Sequence, residues 1–415
     1  MDEYDAVVVG GSVAGCTATT FLGRRGARVA LLERSPNEDA YKVICTHAIQ
    51  ASGTGTLRRL GLVEQIEAAG GLRNHADLWT RRGWIRPRPP AGVNELPYGY
   101  NIRRERLDPM IRSLAASTDG VDYLPGATVT ELIRDQTGRP RGVRATVGGE
   151  EREVHARVVI GADGRDSKVA ELAGLPAKTK PNERFCYFAH YEDLTIPSGK
   201  PITIWNLEPG AAAAFVNEDG ITVMGCMPTK DQLPEFRADL EGAFVRYFAD
   251  LPEMPDLSAG QRVSKIMGRL DMSNIRRRAS GPGVALVGDA AQASDPLWGV
   301  GCGWALQTGE WLANELAGAL GSDRDIDRAL ARYRRQHRRA LAAHHWLICD
   351  YATGRPLNRL ERLLFTAGVR DQHVARAIVR LASRVATPQR VLTPGLIARA
   401  GWVSARMARA GGKST

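Results

Sequence analysis

The chain is 415 residues long, 43% hydrophobic and 25% charged, a globular composition with room for two or three domains and a sizeable core. It excludes a disordered chain, a disulfide mini-scaffold and a fibrous repeat, and no run of 18 apolar residues marks a transmembrane helix. The net charge is +10, with 48 of the 56 basic residues arginine. Such a balance alone admits a nucleic-acid or membrane-surface partner, so where the charge sits decides.

The start, Met1-Asp2-Glu3-Tyr4-Asp5, is acidic and lacks the basic region of a signal peptide. Six scattered cysteines without a Cys-x-x-Cys pair give no expectation of zinc or a disulfide framework. The expected location is the cytoplasm. Residues Tyr4 to Val9 read as a short buried parallel strand. Gly10-Gly11-Ser12-Val13-Ala14-Gly15 follows, then a helical stretch from Cys16 that Gly26 ends, then a second strand, Arg28 to Glu33. This order is a βαβ dinucleotide-binding unit. Gly10 permits the tight turn, Gly15 lets helix and strand approach, and the helix N-terminus offers N–H groups and partial positive charge to a pyrophosphate. Glu33 ends the second strand where a carboxylate can accept both hydrogen bonds of a ribose. Ser12 replaces the middle glycine, so a slight displacement of the phosphate is expected. Gly10, Ser12, Val13, Ala14, Gly15, Glu33 and Arg34 are therefore candidate cofactor residues.

Two further loops repeat the strand-into-loop pattern. Val158-Val159-Ile160-Gly161-Ala162 runs into Asp163-Gly164, and Val284-Ala285-Leu286-Val287 runs into Gly288-Asp289. Pro296, Gly299, Val300, Gly301 and Gly303 come next, and a helix from Trp304 to Leu320. An NAD-dependent dehydrogenase would need no such additional loops.

The three loops in this order resemble the para-hydroxybenzoate hydroxylase-like FAD-dependent monooxygenases, a flavoprotein superfamily that also holds geranylgeranyl reductases and flavin halogenases. The resemblance covers about residues 1–320. It implies an α/β (α+β) fold: an FAD-binding Rossmann-like βαβ domain with an inserted antiparallel-sheet substrate domain and C-terminal helices. The implied division is 1–78, 101–175 and 276–320 for the FAD-binding parts, 79–100 and 176–275 for the substrate domain, and 321–415 for the helical tail. It implies non-covalent FAD, with Asp163 in the second cofactor loop, Asp289 on the ribityl chain, and Pro296, Gly299, Val300 and Gly301 against the flavin ring. An arginine before the next helix contacts FAD in the family. Arg104 holds that place, although Arg103 and Arg106 stand beside it. Thr46-His47-Ala48-Ile49-Gln50 resembles the loop that passes near the flavin, so His47 is a candidate facing the ring or else an ordinary core histidine.

Residues 180–275 alternate polar and apolar, and Asn217-Glu218-Asp219-Gly220 between two β-rich runs is a hairpin signal. The resemblance makes this sheet the roof over the flavin, with Tyr187, Trp205 and Phe215 as substrate-pocket candidates. Ordinary sheet packing is their alternative.

The implied reaction is monooxygenation with NAD(P)H and O₂ through a flavin C4a-hydroperoxide, giving hydroxylation or epoxidation of an aromatic or isoprenoid secondary metabolite. Catalysis then rests on positioning and water exclusion, and no catalytic side chain stands out. No nucleophile–base triad and no separate nicotinamide domain are apparent. The family's Ser-x-x-Arg after Asp-Gly reads Ser167-Lys168-Val169-Ala170 here, which leaves NADPH, NADH and a partner reductase open. Double-bond reduction is the alternative, because Asp295-Pro296-Leu297-Trp298-Gly299 resembles a geranylgeranyl-reductase segment. A non-redox role, FAD in a cyclase or binding protein, is the third reading. Halogenation is not expected: no lysine lies between Lys42 and Lys168.

The tail reads as amphipathic helices packed on the flavin domain by one side. Ile326, Leu330, Tyr333, His337 and Leu341 fall at helical spacing, and adjacent His344 and His345 point apart and make a poor metal pair. No metal site is expected. The last 95 residues hold 19 Lys+Arg and 6 Asp+Glu, a net of +13, against −3 for the first 320. The charge thus belongs to the tail. It argues for no nucleic-acid partner and leaves a membrane surface, an acidic carrier protein bearing the small-molecule substrate, or a solvated face. Oligomeric state is not legible.

Overall fold

The computed structural model describes residues 4–411; the acidic Met1–Glu3 lies outside the described residues. Its first layer is a parallel sheet in the order Val284–Leu286, Glu150–Gly161, Tyr4–Val9, Val29–Glu33, Val121–Pro125. The inner strands are continuous apolar runs because helices cover both faces. Ala6, Val7, Val8, Leu31, Ile160 and Leu286 are all fully buried.

The register of this sheet places the site. Val9 lies opposite Gly161, and Gly161 opposite Leu286. Three adjacent parallel strands therefore end level with one another. The loops that follow, from Gly10, Ala162 and Val287, leave the sheet along one edge. In an open α/β sheet that edge is where a ligand binds.

The second layer is a mostly antiparallel sheet. Cys186–Glu192, Thr222–Met227, Ala211–Val216, Ile202–Asn206, Ala76–Thr80 and Gly83–Ile85 are successive neighbours. The expected hairpin joins Ala211–Val216 to Thr222–Met227. Both of its central residues, Asp219 and Gly220, have positive φ (59° and 72°), the twist that a tight hairpin prefers. Residues 76–78 lie in this sheet, so it begins before position 79. One face packs on the helices Leu233–Ala238 and Leu240–Phe248 through Phe185, Tyr191, Trp205, Met224, Phe236 and Phe244. The opposite face gathers Phe188, Ile202, Ala213, Phe215, Val223 and Met227 with Ala48 and Leu297. Since Leu297 and Ala48 belong to segments beside the cofactor loops, this second face is the one turned to the site.

The tail corrects the sequence reading in one respect. It does not dock as a unit on the flavin domain. The helix Asp323–Tyr351 joins the parallel-sheet core through Ile326, Ala329, Leu330 and Tyr333, as its periodicity predicts. The helices Arg359–Gly368, Gln372–Ala382 and Pro394–Gly411 instead build a separate core with Ile85 and Leu78 at the end of the antiparallel sheet. Among the described residues no helix is long and apolar enough to cross a membrane.

Candidate functional site

The first loop is shaped by close backbone approach. Gly10 has φ of 114°, and a Cβ there would lie 2.5 Å from the Ala162 carbonyl oxygen. A Cβ on Gly15 would lie 1.9 Å from the Gly10 carbonyl oxygen, so any side chain would drive helix and strand apart. No side chain caps the helix Val13–Gly23; its first N–H groups are left for an anion. Glu33 accepts from the Gly11 amide (2.7 Å) with one oxygen and the Ser35 amide (2.9 Å) with the other. Each oxygen keeps a lone pair, which is what a ribose diol requires. Arg34 is exposed beside it. A cradle without room for Cβ atoms, an uncapped helix and a carboxylate with spare acceptors fit a dinucleotide.

Of the three neighbouring arginines, the structure singles out Arg104. Its guanidinium is buried, donates to Asp108 (2.7 and 2.9 Å) and reaches Ser12 Oγ at 2.9 Å. Arg103 and Arg106 turn away to Glu218 and Asp219. The position of the departing Ser12 is thus occupied by a hydroxyl that accepts from an arginine.

The second and third loops differ in character. Asp163 directs both carboxylate oxygens inward, accepting from Ser167 Oγ (2.5 Å) and the Val169 amide (2.9 Å); it orders its own loop and the turn Lys168–Leu172. Asp289 is partnered by Lys42 Nζ at 3.4 Å. The aspartate raises the lysine's pKa and holds it charged. Lys42 was not singled out in the sequence, although it is the one lysine in the first 167 residues and follows the ribose acid closely. After Asp289, the segment Pro296–Trp298 forms a short turn that Gly299 ends with φ of 58°. Val300 is buried, and Gly301 opens the helix Gly301–Leu316, again without a side-chain cap. This turn is tied down by a fully buried ion pair between Arg184 and Asp295; Asp295 also accepts from the Leu297 amide at 2.9 Å. Arg384 of the tail donates to the Trp298 carbonyl (3.0 Å) and to Gln50.

Chain closure brings two of the scattered cysteines together. The two thiols interact, which lowers the pKa of Cys45 and raises that of Cys302, and Cys45 Sγ accepts from the His47 amide at 3.3 Å. Arg104 Nη1 lies 3.6 Å from Cys302 Sγ. His47 sits next to them in a left-handed conformation (φ 64°). Its Nδ1 accepts from the Arg104 amide at 3.0 Å, while its buried Nε2 has no partner. Its ring meets that of His190 edge-on at 5.4 Å. His190 Nε2 is also unpartnered, and burial, then His47 and Arg103, push its pKa down to about 4, so it is neutral.

Two pocket candidates are corrected. Trp205 donates to the Pro252 carbonyl (2.8 Å), and Tyr187 stacks on Phe236 at 5.7 Å. Both lie on the sheet face that packs on helices, away from the cofactor loops. Phe215 lies on the face turned to the site. His190, on that same face, is a further residue that the sequence did not single out. A histidine at alternate position from Phe188 is the only available signal, and it needs the sheet's orientation to be read.

Loops at the level ends of parallel strands, with a βαβ cradle first, define a dinucleotide-binding protein. Residues 3–235, more than half of the chain, match the family described as FAD binding domain. The chain belongs to that family. Digeranylgeranylglycerophospholipid reductase 1 of Methanococcoides burtonii is 27% identical over 354 residues, 81% of this chain and 80% of that protein. 6-Methylpretetramide 4-monooxygenase of Streptomyces rimosus is 29% identical over 352 residues, 81% of each. Among solved structures, a flavin-dependent brominase superposes over the whole of both chains with a TM-score of 0.78 at 18% identity, a likeness of fold.

Proposed function

We propose that the protein is a single-component FAD-dependent monooxygenase that uses NAD(P)H and O₂ on an apolar polycyclic aromatic or isoprenoid compound. The observation that carries this reading is the sheet face opposite the cofactor loops. Phe188, Ile204, Phe215, Val223 and Met227 form an apolar wall with Leu297, and the polar groups at its edge are two imidazoles with unpartnered Nε2 atoms. Such a wall excludes water and positions an apolar substrate. His47 and His190 would orient one polar atom of it by hydrogen bonds.

FAD, when bound, supplies the redox chemistry, taking a hydride and passing reducing equivalents to oxygen. The chain's part is to hold it. The uncapped helix Val13–Gly23 and Arg104 would take the pyrophosphate, Glu33 the ribose, Lys42 and Asp289 the chain between, and the N-terminus of Gly301–Leu316 would favour negative charge on the ring. Similarity to a monooxygenase over 81% of both chains supports the reading.

Double-bond reduction is the second reading, and one observation favours it. Saturating a carbon–carbon double bond adds a hydride to one carbon and a proton to the other, and the Cys45–Cys302 pair beside Arg104 would offer the proton. Similarity to a reductase points the same way. Anaerobic addition of NADPH or NADH to the FAD-loaded protein, followed by oxygen, separates the two. Monooxygenation predicts bleaching by one nicotinamide and consumption of oxygen in step with substrate. Saturation of the substrate without oxygen would instead establish the reductase, and no bleaching by either nicotinamide would exclude the self-sufficient form of both.

A further inference from the structure

The helix Asp323–Tyr351 and the strand Asn274–Arg277 border a recess of about 460 Å³ whose lining shares no residue with the apolar wall. Its lining is dominated by cations. Lys178, Arg276 and Arg278 come from the strand side, and Arg334, Arg335 and Arg338 from the helix. Arg277 completes the set of seven, and no carboxylate lines the recess.

Elsewhere on the same helix several charges are paired, although Arg324 and Arg339 have no salt bridge among the described residues. Arg328 pairs with Asp325 and Arg332 with Glu315, and Arg139 reaches across to Asp327. The seven cations of the recess have no salt bridge among the described residues. Burial lowers the pKa of Arg334, and so does its crowding by Arg278, Arg335 and Arg338. Like charges held together without counter-charge are an unfavourable arrangement that a bound anion would relieve.

The floor provides an independent sign. Gln292 and His337 line the recess, with exposures of 3% and 4%. The Nε2 atoms of both are buried without a hydrogen-bond partner. A buried amide donor left unpaired is costly unless something completes it. Cations at the rim and unpaired polar nitrogens at the floor match an acceptor-rich anion of small size, and phosphate oxygens suit the forked geometry of arginine.

We propose that this recess is a binding site for a multiply charged phosphate group, the diphosphate or phosphoadenosine end of a small molecule. It is linked to the cofactor loops. Arg277 donates to the Ala290 carbonyl (3.1 Å) and the Arg165 carbonyl (2.8 Å), and Gln292 stands three residues after Asp289. The anion therefore anchors a molecule against the back of the third cofactor loop.

The test is calorimetric titration of the FAD-loaded protein with inorganic pyrophosphate, 2′,5′-ADP and geranyl diphosphate. The double variant Arg335→Gln/Arg338→Gln alters two exposed side chains and keeps the floor. It is expected to weaken pyrophosphate binding about tenfold or more, because two charge-assisted contacts are lost, with FAD content and melting temperature unchanged. Arg359→Gln/Arg362→Gln removes the same charge from another helix and is expected to stay within about twofold, since distant exposed charges are screened. Preference for 2′,5′-ADP identifies the phosphates of a nicotinamide coenzyme as the source, and preference for geranyl diphosphate identifies a prenyl substrate; either result supports the site. Equal loss in both double variants would overturn it. So would absence of binding by all three probes. None of these readouts depends on which reaction the flavin performs.

Discussion

Individual residues separate the parts of the site that hold from those that pack. Lys42 stands beside Asp289 at 3.4 Å and is otherwise exposed. Lys42→Met is therefore expected to raise the dissociation constant for FAD roughly tenfold, the worth of one charged hydrogen bond, while the melting temperature of the apoprotein stays unchanged. Equilibrium titration of apoprotein with FAD measures it. Trp205 and Phe215 make a contrasting pair. Trp205→Ala empties a fully buried site and should cost about 3–5 kcal/mol in denaturant unfolding without a selective effect on substrate. Phe215→Leu is expected to alter KM with FAD affinity intact, because its side chain belongs to the wall turned to the site. The glycines, Ser12, Glu33 and Asp289 were legible because each is a local pattern within a few residues of a strand end. Which of Tyr187, Trp205 and Phe215 faces the cofactor was not. Each face of that sheet carries its own buried apolar cluster, so the alternation read in the sequence marks strands without saying which side the flavin loops occupy. The Cys45–Cys302 contact was equally hidden, since only chain closure joins positions 257 residues apart in the sequence.

At the level of elements, the turn Pro296–Trp298 depends on groups from distant segments. Arg184 gives hydrogen bonds to the carbonyls of Pro209 (3.2 Å) and Tyr351 (3.0 Å) as well as its ion pair with Asp295. Breaking a pair buried this completely leaves an uncompensated charge. Asp295→Ala is expected to destabilise the protein by about 3–5 kcal/mol in urea unfolding and to lower FAD content, because the turn and the Gly301–Leu316 helix lose their anchor together. The strand ends and the hairpin followed directly from valine runs and from Asp219-Gly220. The partners of the tail helices did not. Their amphipathic periodicity fixes which side is buried, but the same stripe suits any apolar surface. Asp323–Tyr351 found the parallel sheet, whereas Arg359–Gly368 and its neighbours found Ile85.

For the whole molecule, the +13 of the tail is neither uniform nor idle. Part is neutralised by local carboxylates, part is sunk in the structure as at Arg384, whose pKa burial lowers to about 9, and part converges with Arg276–Arg278 on one recess. Four histidines contribute to the loss of stability on the acid side. Burial lowers His190, His337, His344 and His345 each to about 4, below the unfolded value near 6.5. The native state then binds fewer protons than the unfolded chain in that interval. Their contribution is complete above about pH 6.5 and is lost as pH falls towards 4, so melting temperature measured across this window should fall steadily. Above pH 7 these groups should contribute no slope. The central claim concerns what the apolar wall and the cofactor loops do together, and turnover under ¹⁸O₂ with a panel of polycyclic aromatic and isoprenoid compounds tests it most directly. Incorporation of one labelled oxygen atom into product, in step with NAD(P)H consumed, is the predicted result. A product that gains two hydrogens and no label, formed equally well without oxygen, would contradict it.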